Sequence, residues 1–286
     1  MDQRIIDLYD DYTHRPLPRR AFLERLGTLA GSAAAAEAAL VLLECDYARA
    51  DIVPEAAGRV ETRNFEVEGG KIKGYAAFPK GMKPETATHA VIVIHENRGL
   101  NPHIKDVARH VATEGLFAFA PDFLSALGGT PDNEDAAREA FAKLNFADAV
   151  EMARTIVAGF KSRNPAMKVG AMGFCWGGGM VNAMAEVAPG LDAGVAYYGV
   201  APPLDKVKDI KTRMMMHYGA LDQRVNATRA PYEEALKAAG VAYEMFVYEG
   251  ANHAFNNDAS AERYNEAAAK LAWSRTIGLL KQALAV

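Results

Sequence analysis

The stretch "VGAMGFCWGGGMV", from Val169 to Val181, decides how this chain is interpreted. An apolar run typical of a buried strand precedes Cys175, and a helical stretch follows it. Gly173 and Gly177 flank the cysteine two residues away on either side. A sharp strand-to-helix turn strains its central residue and needs small neighbours, so the pattern favours a nucleophile held near a helix N-terminus. A buried structural cysteine that merely has glycine neighbours is the simpler alternative.

The composition is that of a globular protein without a strong charge bias. The chain has 286 residues, 50% of them hydrophobic, and a formal net charge of −4. Acidic and basic residues are mixed, so we expect neither nucleic acid nor an anionic membrane as a partner. No apolar run approaches the roughly 18 residues that indicate a membrane-spanning helix. Two cysteines, Cys45 and Cys175, are too few for a disulfide framework and fit a reducing compartment.

Residues 1–60 are predicted to form a helical N-terminal extension, joined to the rest of the chain through "IVPEAAGRVETR". The twin arginine Arg19-Arg20, an alanine-rich stretch and Ala48-Arg49-Ala50 resemble a twin-arginine export signal. Three acidic residues interrupt what should be an uncharged core: Glu24, Glu37 and Glu44. Apolar residues at helical spacing instead predict a packed amphipathic helix: Phe22, Leu26, Leu29, Ala30 and Ala33. We therefore predict a cytoplasmic protein, with periplasmic export as the alternative.

Residues 61–286 are predicted to form an α/β domain. A hairpin is expected around Gly69-Gly70, because apolar and polar residues alternate on both sides of it. Further strands are predicted in the following stretches: "HAVIVIH", "LFAFAPD", "KVGAMGFC", "AGVAYYG", "RMMMHYGALD" and "YEMFVYEG". Helical patterns separate most of them, and a helix is predicted over "SAERYNEAAAKLAWSRTIGLLKQALA". Alternating strands and helices indicate a mostly parallel sheet with helices on both faces, and ligands bind at the carboxyl ends of such strands.

A base and an acid follow the cysteine at later strand ends. His253 lies in "YEGANHAF", directly after the last predicted strand, which favours it as the base for the Cys175 thiol. Asp222 ends "RMMMHYGALD" and is predicted to orient that imidazole, with a turn or helix cap as its alternative role. The order Cys175, Asp222, His253 is the nucleophile–acid–base order of α/β-hydrolases. Four histidines lie upstream, outside strand ends, and are interpreted as surface or core residues: His14, His89, His103 and His110.

The loop "VIHENRGL" supplies further candidate site residues. In this architecture the oxyanion is held by one N–H after the nucleophile and one after the third strand, predicted to be those of Trp176 and Asn97. Glu96 and Arg98 fall in the same region, with solvated loop charges as the alternative. Tyr198, at the end of another predicted strand, is a candidate wall residue for the substrate pocket or a plain packing residue.

Four motifs in order resemble the dienelactone hydrolase family of α/β-hydrolases: "HENRG", "GFCWGG", "GALD" and "ANHAF". The resemblance runs from about Glu61 to the end of the chain. It implies a thiol nucleophile at Cys175, an ester or lactone substrate, and no metal or organic cofactor. It also implies that Glu96 holds the resting thiol and is displaced by substrate, which hands Cys175 to His253.

The sequence departs from that family where the substrate carboxylate is bound. Family members that cleave dienelactone use one arginine shortly after the "PD" of the fourth strand and one just after the histidine. Ala126 and Asn257 occupy those regions here, and Ala254 replaces a serine. Without that bidentate clamp a small dianionic lactone would be poorly held, so dienelactone itself is not predicted as the substrate.

Three functions follow from these residues. The first is a hydrolase of small esters or lactones that forms an acyl-thioester on Cys175. The second keeps the triad but transfers the acyl group to another acceptor, or cleaves thioesters. The third binds a small molecule without turnover, which the intact triad argues against. The extension is predicted to be a cap beside the active-site mouth, an arm of a homodimer or an uncleaved export signal.

Overall fold

The computed structural model describes residues 1–15, 17–46, 53, 58–67 and 71–286. The predicted turn at Gly69-Gly70, the Ala48–Ala50 end of the signal-like stretch and part of the linker lie outside these residues. The helices of the extension lie within residues 1–15 and 17–46.

Eight strands within the described residues form one sheet: β1 (Val60–Val67), β2 (Ile72–Pro79), β3 (His89–Ile94), β4 (Ala118–Pro121), β5 (Lys168–Phe174), β6 (Ala193–Tyr197), β7 (Arg213–Gly219) and β8 (Tyr243–Tyr248). Their order in space is β1-β2-β4-β3-β5-β6-β7-β8. β1 pairs with β2 and β2 with β4 in antiparallel fashion, and every pair from β4 to β8 is parallel. The mostly parallel sheet predicted from the sequence is confirmed.

The α-helices of the same residues are α1 (Gln3–His14), α2 (Arg19–Ala30), α3 (Ala33–Leu43), α4 (Pro102–Thr113), α5 (Glu134–Phe141), α6 (Phe146–Arg163), α7 (Trp176–Val187), α8 (Gln223–Ala239) and α9 (Glu266–Leu284). On one face of the sheet α4 and α9 pack, and on the other α6, α7 and α8. β3 shows why both faces are covered. Its Val91 and Val93 side chains belong to the core under α4 and α9, and its Ile92 and Ile94 side chains belong to the core under α6, α7 and α8. A strand buried on both faces reads as a continuous apolar run, as "HAVIVI" does.

Two helix predictions were wrong at their ends. The single amphipathic helix predicted through Ala33 is broken at Gly31, whose φ of 85° is the left-handed conformation that ends helices. The C-terminal helix starts at Glu266 rather than near Ser260, because the Asn265 side chain caps it by accepting the N–H of Ala268.

The three extension helices share a small core of their own. Its buried members come from all three helices: Ile5, Ile6, Tyr9, Tyr12, Phe22, Leu26, Ala36, Ala39, Leu40 and Leu43. α1 also contacts the main domain, since Gln3 Nε2 donates to Asn252 Oδ1 at 2.6 Å and Asn97 Nδ2 donates to the Thr13 carbonyl at 2.8 Å. These contacts place the carboxyl end of α1 over the carboxyl ends of the parallel strands.

Within the described residues, no single helix has the length and hydropathy of a membrane span. The α2 and α3 helices reach them only as a pair, and the pair is bent by 108°.

Candidate active site

Cys175 lies at the turn between β5 and α7, where the sequence predicts a nucleophile. Its φ of 55° is in the left-handed region, which residues other than glycine rarely adopt. The flanking glycines are required by close backbone approach: a Cβ on Gly173 would lie 2.1 Å from the Gly177 carbonyl oxygen, and one on Gly177 2.5 Å from that of Ile94. The Cys175 N–H donates to the Tyr197 carbonyl at 3.0 Å, which fixes the turn against β6. The side chain therefore projects at the N-terminus of α7.

His253 and Asp222 lie together at the ends of β8 and β7. His253 Nδ1 is 2.6 Å from Asp222 Oδ2, and both residues are buried. This contact fixes the tautomer, because Nδ1 must carry the proton that the carboxylate accepts. His253 Nε2 has no hydrogen-bond partner among the described residues. Arg224 Nη2 lies 3.4 Å from the same Nδ1. Because the Nδ1 proton points to Asp222, Nδ1 cannot accept a hydrogen bond from Arg224, and the guanidinium is only a nearby positive charge.

The sulfur of Cys175 contacts a second imidazole that the sequence interpretation missed. His14 Nε2, in the last turn of α1, lies 2.9 Å from Cys175 Sγ. The interpretation of His14 as a surface or core residue was therefore wrong. The only local signal is the spacing of Asp10 and His14, four residues apart on one helix face, which is too common to single out a site. The contact depends on how α1 packs against the main domain, and such tertiary packing is not visible in the local sequence.

Asp10 joins the two imidazoles. Its Oδ1 lies 3.0 Å from His14 Nδ1 and 4.0 Å from His253 Nε2, and its Oδ2 is 2.9 Å from Arg224 Nε. Burial raises the pKa of Asp10, but His253, His14 and Arg224 outweigh it and hold that pKa well below its usual range. Burial likewise lowers the pKa of His14, but the Cys175 sulfur and Asp10 outweigh it and raise the pKa above its ordinary value.

The residues of the "HENRG" loop are distributed around the sulfur. Glu96 and Arg98 line a small space of about 20 Å³ beside Cys175, and Arg98 Nε is 3.6 Å from Glu134 Oε2 on α5. The Glu96 carboxylate accepts a hydrogen bond from Asn257 Nδ2 at 3.0 Å. Among the described residues the hydrogen-bond partner of the Cys175 thiol is His14 Nε2 rather than Glu96. His14 reaches the sulfur because it lies on α1. The family resemblance covers only residues 61–286, so it gave no indication of a residue at position 14.

The two residues whose backbone N–H groups are predicted to hold the oxyanion lie at the same cavity as Cys175. Trp176 and Asn97 both line the large cavity that Cys175 opens into. Neither backbone N–H has a hydrogen-bond acceptor among the described residues. The Trp176 ring stacks on His95 at 5.5 Å and 13° between planes, and this holds the two loops together. Tyr198 is buried in the cavity wall with its ring 5.0 Å from that of His253.

The large cavity has a volume of about 740 Å³ and is partly built by the extension. Four arginines line it: Arg15, Arg19, Arg138 and Arg224. Arg19 and Arg138 share the carboxylate of Asp135 at 3.6 and 3.3 Å, so this pair keeps a net positive charge. One side of the sulfur therefore faces a space of substrate size with cations in its wall.

Metal ligation is the other chemistry that these side chains allow. One ligand atom from each of His14, Cys175 and His253 lies within 4.8 Å of the other two. Thiolate and imidazole are the ligands that zinc prefers.

Comparison with known proteins assigns the chain to a family. The model of the dienelactone hydrolase family matches residues 72–284. The chain belongs to the dienelactone hydrolase family. A Methylorubrum extorquens protein provisionally named a carboxymethylenebutenolidase is 33% identical over 218 residues, covering 71% of this chain and 73% of that protein. Protein usf of Aquifex pyrophilus is 33% identical over 232 residues, covering 77% of this chain and 97% of its own.

A solved structure agrees. A Klebsiella pneumoniae protein, provisionally described as a dienelactone hydrolase, superposes with a TM-score of 0.68 at 29% identity, covering 78% of this chain and 99% of that one. The α/β-hydrolase fold and the hydrolase class of carboxylic esters and lactones, both predicted from the sequence, are confirmed. The family model starts at residue 72, so α1 and His14 lie outside the part of the chain that it matches.

Two departures from the dienelactone hydrolase family lie at this site. Asn257, where an arginine is expected, binds Glu96, and Ala254 has a φ of 62° beside His253. Ala126 is exposed. Cys45, the second cysteine of the chain, lies beyond the end of α3. Arg263 Nη2 is 3.7 Å from its sulfur, so it has a cationic neighbour.

Proposed function

We propose that this chain hydrolyses small carboxylic esters or lactones through a Cys175–His253–Asp222 triad and an acyl-thioester on Cys175. The observation that carries the proposal is the unpartnered Nε2 of His253, whose Nδ1 is held by Asp222 at 2.6 Å, with the sulfur nearby. An imidazole in that tautomer can accept a proton at Nε2 while the carboxylate stabilises the resulting charge.

The reaction then follows in two halves. The thiolate attacks the substrate carbonyl, and the oxyanion forms near the N–H groups of Trp176 and Asn97. Loss of the alcohol leaves the acyl-thioester. A water molecule then attacks the thioester carbonyl while His253 takes one of the protons of that water. The C–S bond breaks, and the carboxylic acid leaves. Both N–H groups are main-chain groups, so side-chain substitution leaves them in place.

The cavity supports a substrate that carries an anionic group. Its arginines come from the residue directly after α1 and from α2, α5 and α8, not from the positions that dienelactone-cleaving members use. Arg15 and Arg224 are each paired with an aspartate of α1, and Glu139 also lines the cavity, so its wall carries charges of both signs. Arg19 and Arg138 share the single carboxylate of Asp135, which leaves guanidinium N–H groups that a substrate carboxylate could bind. We therefore expect a carboxylate-bearing ester or lactone to be preferred over its neutral analogue, as the name of the Methylorubrum relative would suggest.

The test is acylation followed by mass analysis. Incubation with p-nitrophenyl acetate should release p-nitrophenol and add one acetyl group to Cys175, and Cys175→Ala should do neither while keeping its thermal unfolding temperature. A series of esters with and without a terminal carboxylate then gives the substrate class from kcat/KM. A Cys175→Ala variant with unchanged turnover would falsify the proposal. Products formed with added alcohols or thiols in place of water would assign the chain to acyl transfer instead.

A further inference from the structure

Two imidazole–carboxylate pairs flank one sulfur in this chain. His253 with Asp222 is the pair that the triad uses. His14 with Asp10 is a second, and its Nε2 is the ring atom in hydrogen-bond contact with Cys175 Sγ, at 2.9 Å. The two rings pack edge to face with centroids 4.8 Å apart. The second pair comes from α1, outside the region that the family model matches.

The geometry of His14 suits proton exchange with the sulfur. Its Nδ1 lies 2.8 Å from the Asp10 carbonyl, which can only accept, so Nδ1 carries a proton. Asp10 Oδ1 lies at the ion-pair distance of 3.0 Å from Nδ1, and the Thr13 hydroxyl, also at 3.0 Å, donates to backbone carbonyls of the helix. Nε2 is left to accept the thiol proton or to donate it back. The ring is 14% exposed and lies at the carboxyl end of α1, where the helix dipole favours a cation. A raised pKa of His14 agrees with this environment.

The spaces on the two sides of the sulfur differ. His14 lines both the large cavity and the small one, whereas His253 lines the small one of about 20 Å³ and not the large one. A space of that size is sufficient for about one water molecule. A leaving alcohol in the large cavity is thus adjacent to His14, and a hydrolytic water in the small space is adjacent to His253.

We propose that His14, oriented by Asp10, is a second catalytic base that takes the proton of Cys175 and delivers it to the leaving group, while His253 serves the water of the second half-reaction. The thiol S–H bond breaks with its proton passing to His14 Nε2. The thiolate forms the C–S bond, the ester C–O bond breaks, and the alkoxide takes the proton back from His14. This step needs no further co-reactant, and it rests on the proposed function above.

Charged and titratable groups of several elements surround His14, and the small space that it lines also contains Glu96, Arg98 and Arg263. Asp10 lies on α1 itself, Cys175 on the elbow, His253 on the loop after β8, and Arg224 on α8. Arg224 and a protonated His253 oppose a cation at His14, and Asp10 with a thiolate favours it. Removal of the His14 imidazole is therefore expected to affect ionisation of the sulfur most strongly at low pH.

The first experiment reads the thiol without using hydrolysis. Rates of iodoacetamide alkylation are measured at pH 6 and pH 9.5, with the alkylated peptide identified by mass so that Cys45 is distinguished from Cys175. A free cysteine has a pKa of about 8.5 and is well under 1% thiolate at pH 6, so loss of its base should slow alkylation strongly there. His14→Gln should lower the rate at Cys175 by about tenfold or more at pH 6 and by less than about twofold at pH 9.5.

Two variants control for structure. His110→Gln makes the same change on α4, away from the sulfur, and should leave both rates unchanged. Asp10→Asn keeps the imidazole but removes its carboxylate, and should give an intermediate loss at pH 6. Thermal unfolding of each variant shows whether the chain still folds.

The second experiment separates the half-reactions with p-nitrophenyl acetate. His253→Gln should keep a burst of about one equivalent of p-nitrophenol and accumulate the acetyl-enzyme, whereas His14→Gln should lose the burst. If the wild-type protein shows neither burst nor acetyl adduct, the proposed hydrolase function fails, and the alkylation rates still test His14.

Several results would overturn the role of His14. An unchanged rate at pH 6 would mean that His14 does not serve the thiol. Faster alkylation at both pH values would show that α1 shields the sulfur, and an equal loss at both would indicate a purely structural contact. One zinc ion per chain in the purified protein, lost in both His14→Gln and Cys175→Ala, would assign the three side chains to a metal site instead.

Discussion

Asp222 performs two tasks that one pair of substitutions can separate. Its Oδ1 accepts the Val225 N–H at 3.0 Å and caps α8, and its Oδ2 accepts from His253 Nδ1 at 2.6 Å. Asp222→Asn keeps an oxygen for the cap, since asparagine and aspartate are equally good N-caps. The amide nitrogen then faces His253 as a donor, so Nδ1 must become an acceptor and the ring proton moves to Nε2. An Nε2 that carries a proton cannot act as the base.

The expected magnitudes follow from these contacts. A positioned general base contributes about 10²- to 10⁴-fold, so kcat of Asp222→Asn should fall by that factor, equivalent to about 3–5 kcal/mol in the barrier. Asp222→Ala should lose the same activity and in addition about 1 kcal/mol of stability from the lost cap. For a chain of this size that corresponds to a Tm about 2–4 °C below that of Asp222→Asn.

The assay is steady-state hydrolysis of p-nitrophenyl acetate together with intact-mass analysis and thermal unfolding. Both variants lose the base that activates water in the second half-reaction, so both should accumulate acetyl-enzyme. Asp132→Asn, an exposed site, is the matched control and should change neither quantity. A kcat of Asp222→Asn within threefold of wild type would refute the assignment of the acid, and equal Tm values for the two variants would refute the capping role.

Three further predictions concern the scaffold. Gly177→Ala puts a Cβ 2.5 Å from the Ile94 carbonyl oxygen and should lower the unfolding free energy by about 3 kcal/mol or more, measured by denaturant titration. Burial and the neighbouring Asp205 raise the pKa of Glu186 from 4.5 to about 7, so its ionised form is disfavoured in the fold and stability should fall as the pH rises from 4.5 to 7. Glu186→Gln should remove that fall, ~1–2 kcal/mol after allowance for its partial exposure, in unfolding curves recorded across this range. Leu26→Ala opens the extension core, at about 2–5 kcal/mol, and should reduce hydrogen-exchange protection of the α1 amides.

The parts of the site that could be predicted are those with a local signal. Glycines around Cys175 are needed by backbone contacts within a few residues and across to Ile94, and they are visible in the sequence as a motif. Asp222 and His253 follow strands whose apolar runs are unambiguous, and parallel strands bring their carboxyl ends to one edge. For these residues, a position directly after a strand in the chain is nearly sufficient to predict the position in space.

His14 lacked any such signal. It belongs to an amphipathic helix whose apolar face packs on α2 and α3, and helical spacing gives the direction of that face but not the surface on which the whole unit docks. Docking depends on separate pairs, among them Gln3 with Asn252 and Asp10 with Arg224, that join positions more than 200 residues apart. Sequence periodicity carries no information about contacts of that separation.

The same docking explains how a family scaffold can change its specificity without changing its elbow. The sheet supplies Cys175 and the His253–Asp222 pair, which follow the carboxyl ends of β5, β8 and β7. Part of the cavity wall and the ring on the sulfur come from residues before β1, which the family model does not match. Because Asp10 lies 3.0 Å from His14 Nδ1 and 4.0 Å from His253 Nε2, the extension is joined electrostatically to the proposed triad. A change in α1 is therefore expected to alter both which ester enters and how readily the thiol reacts.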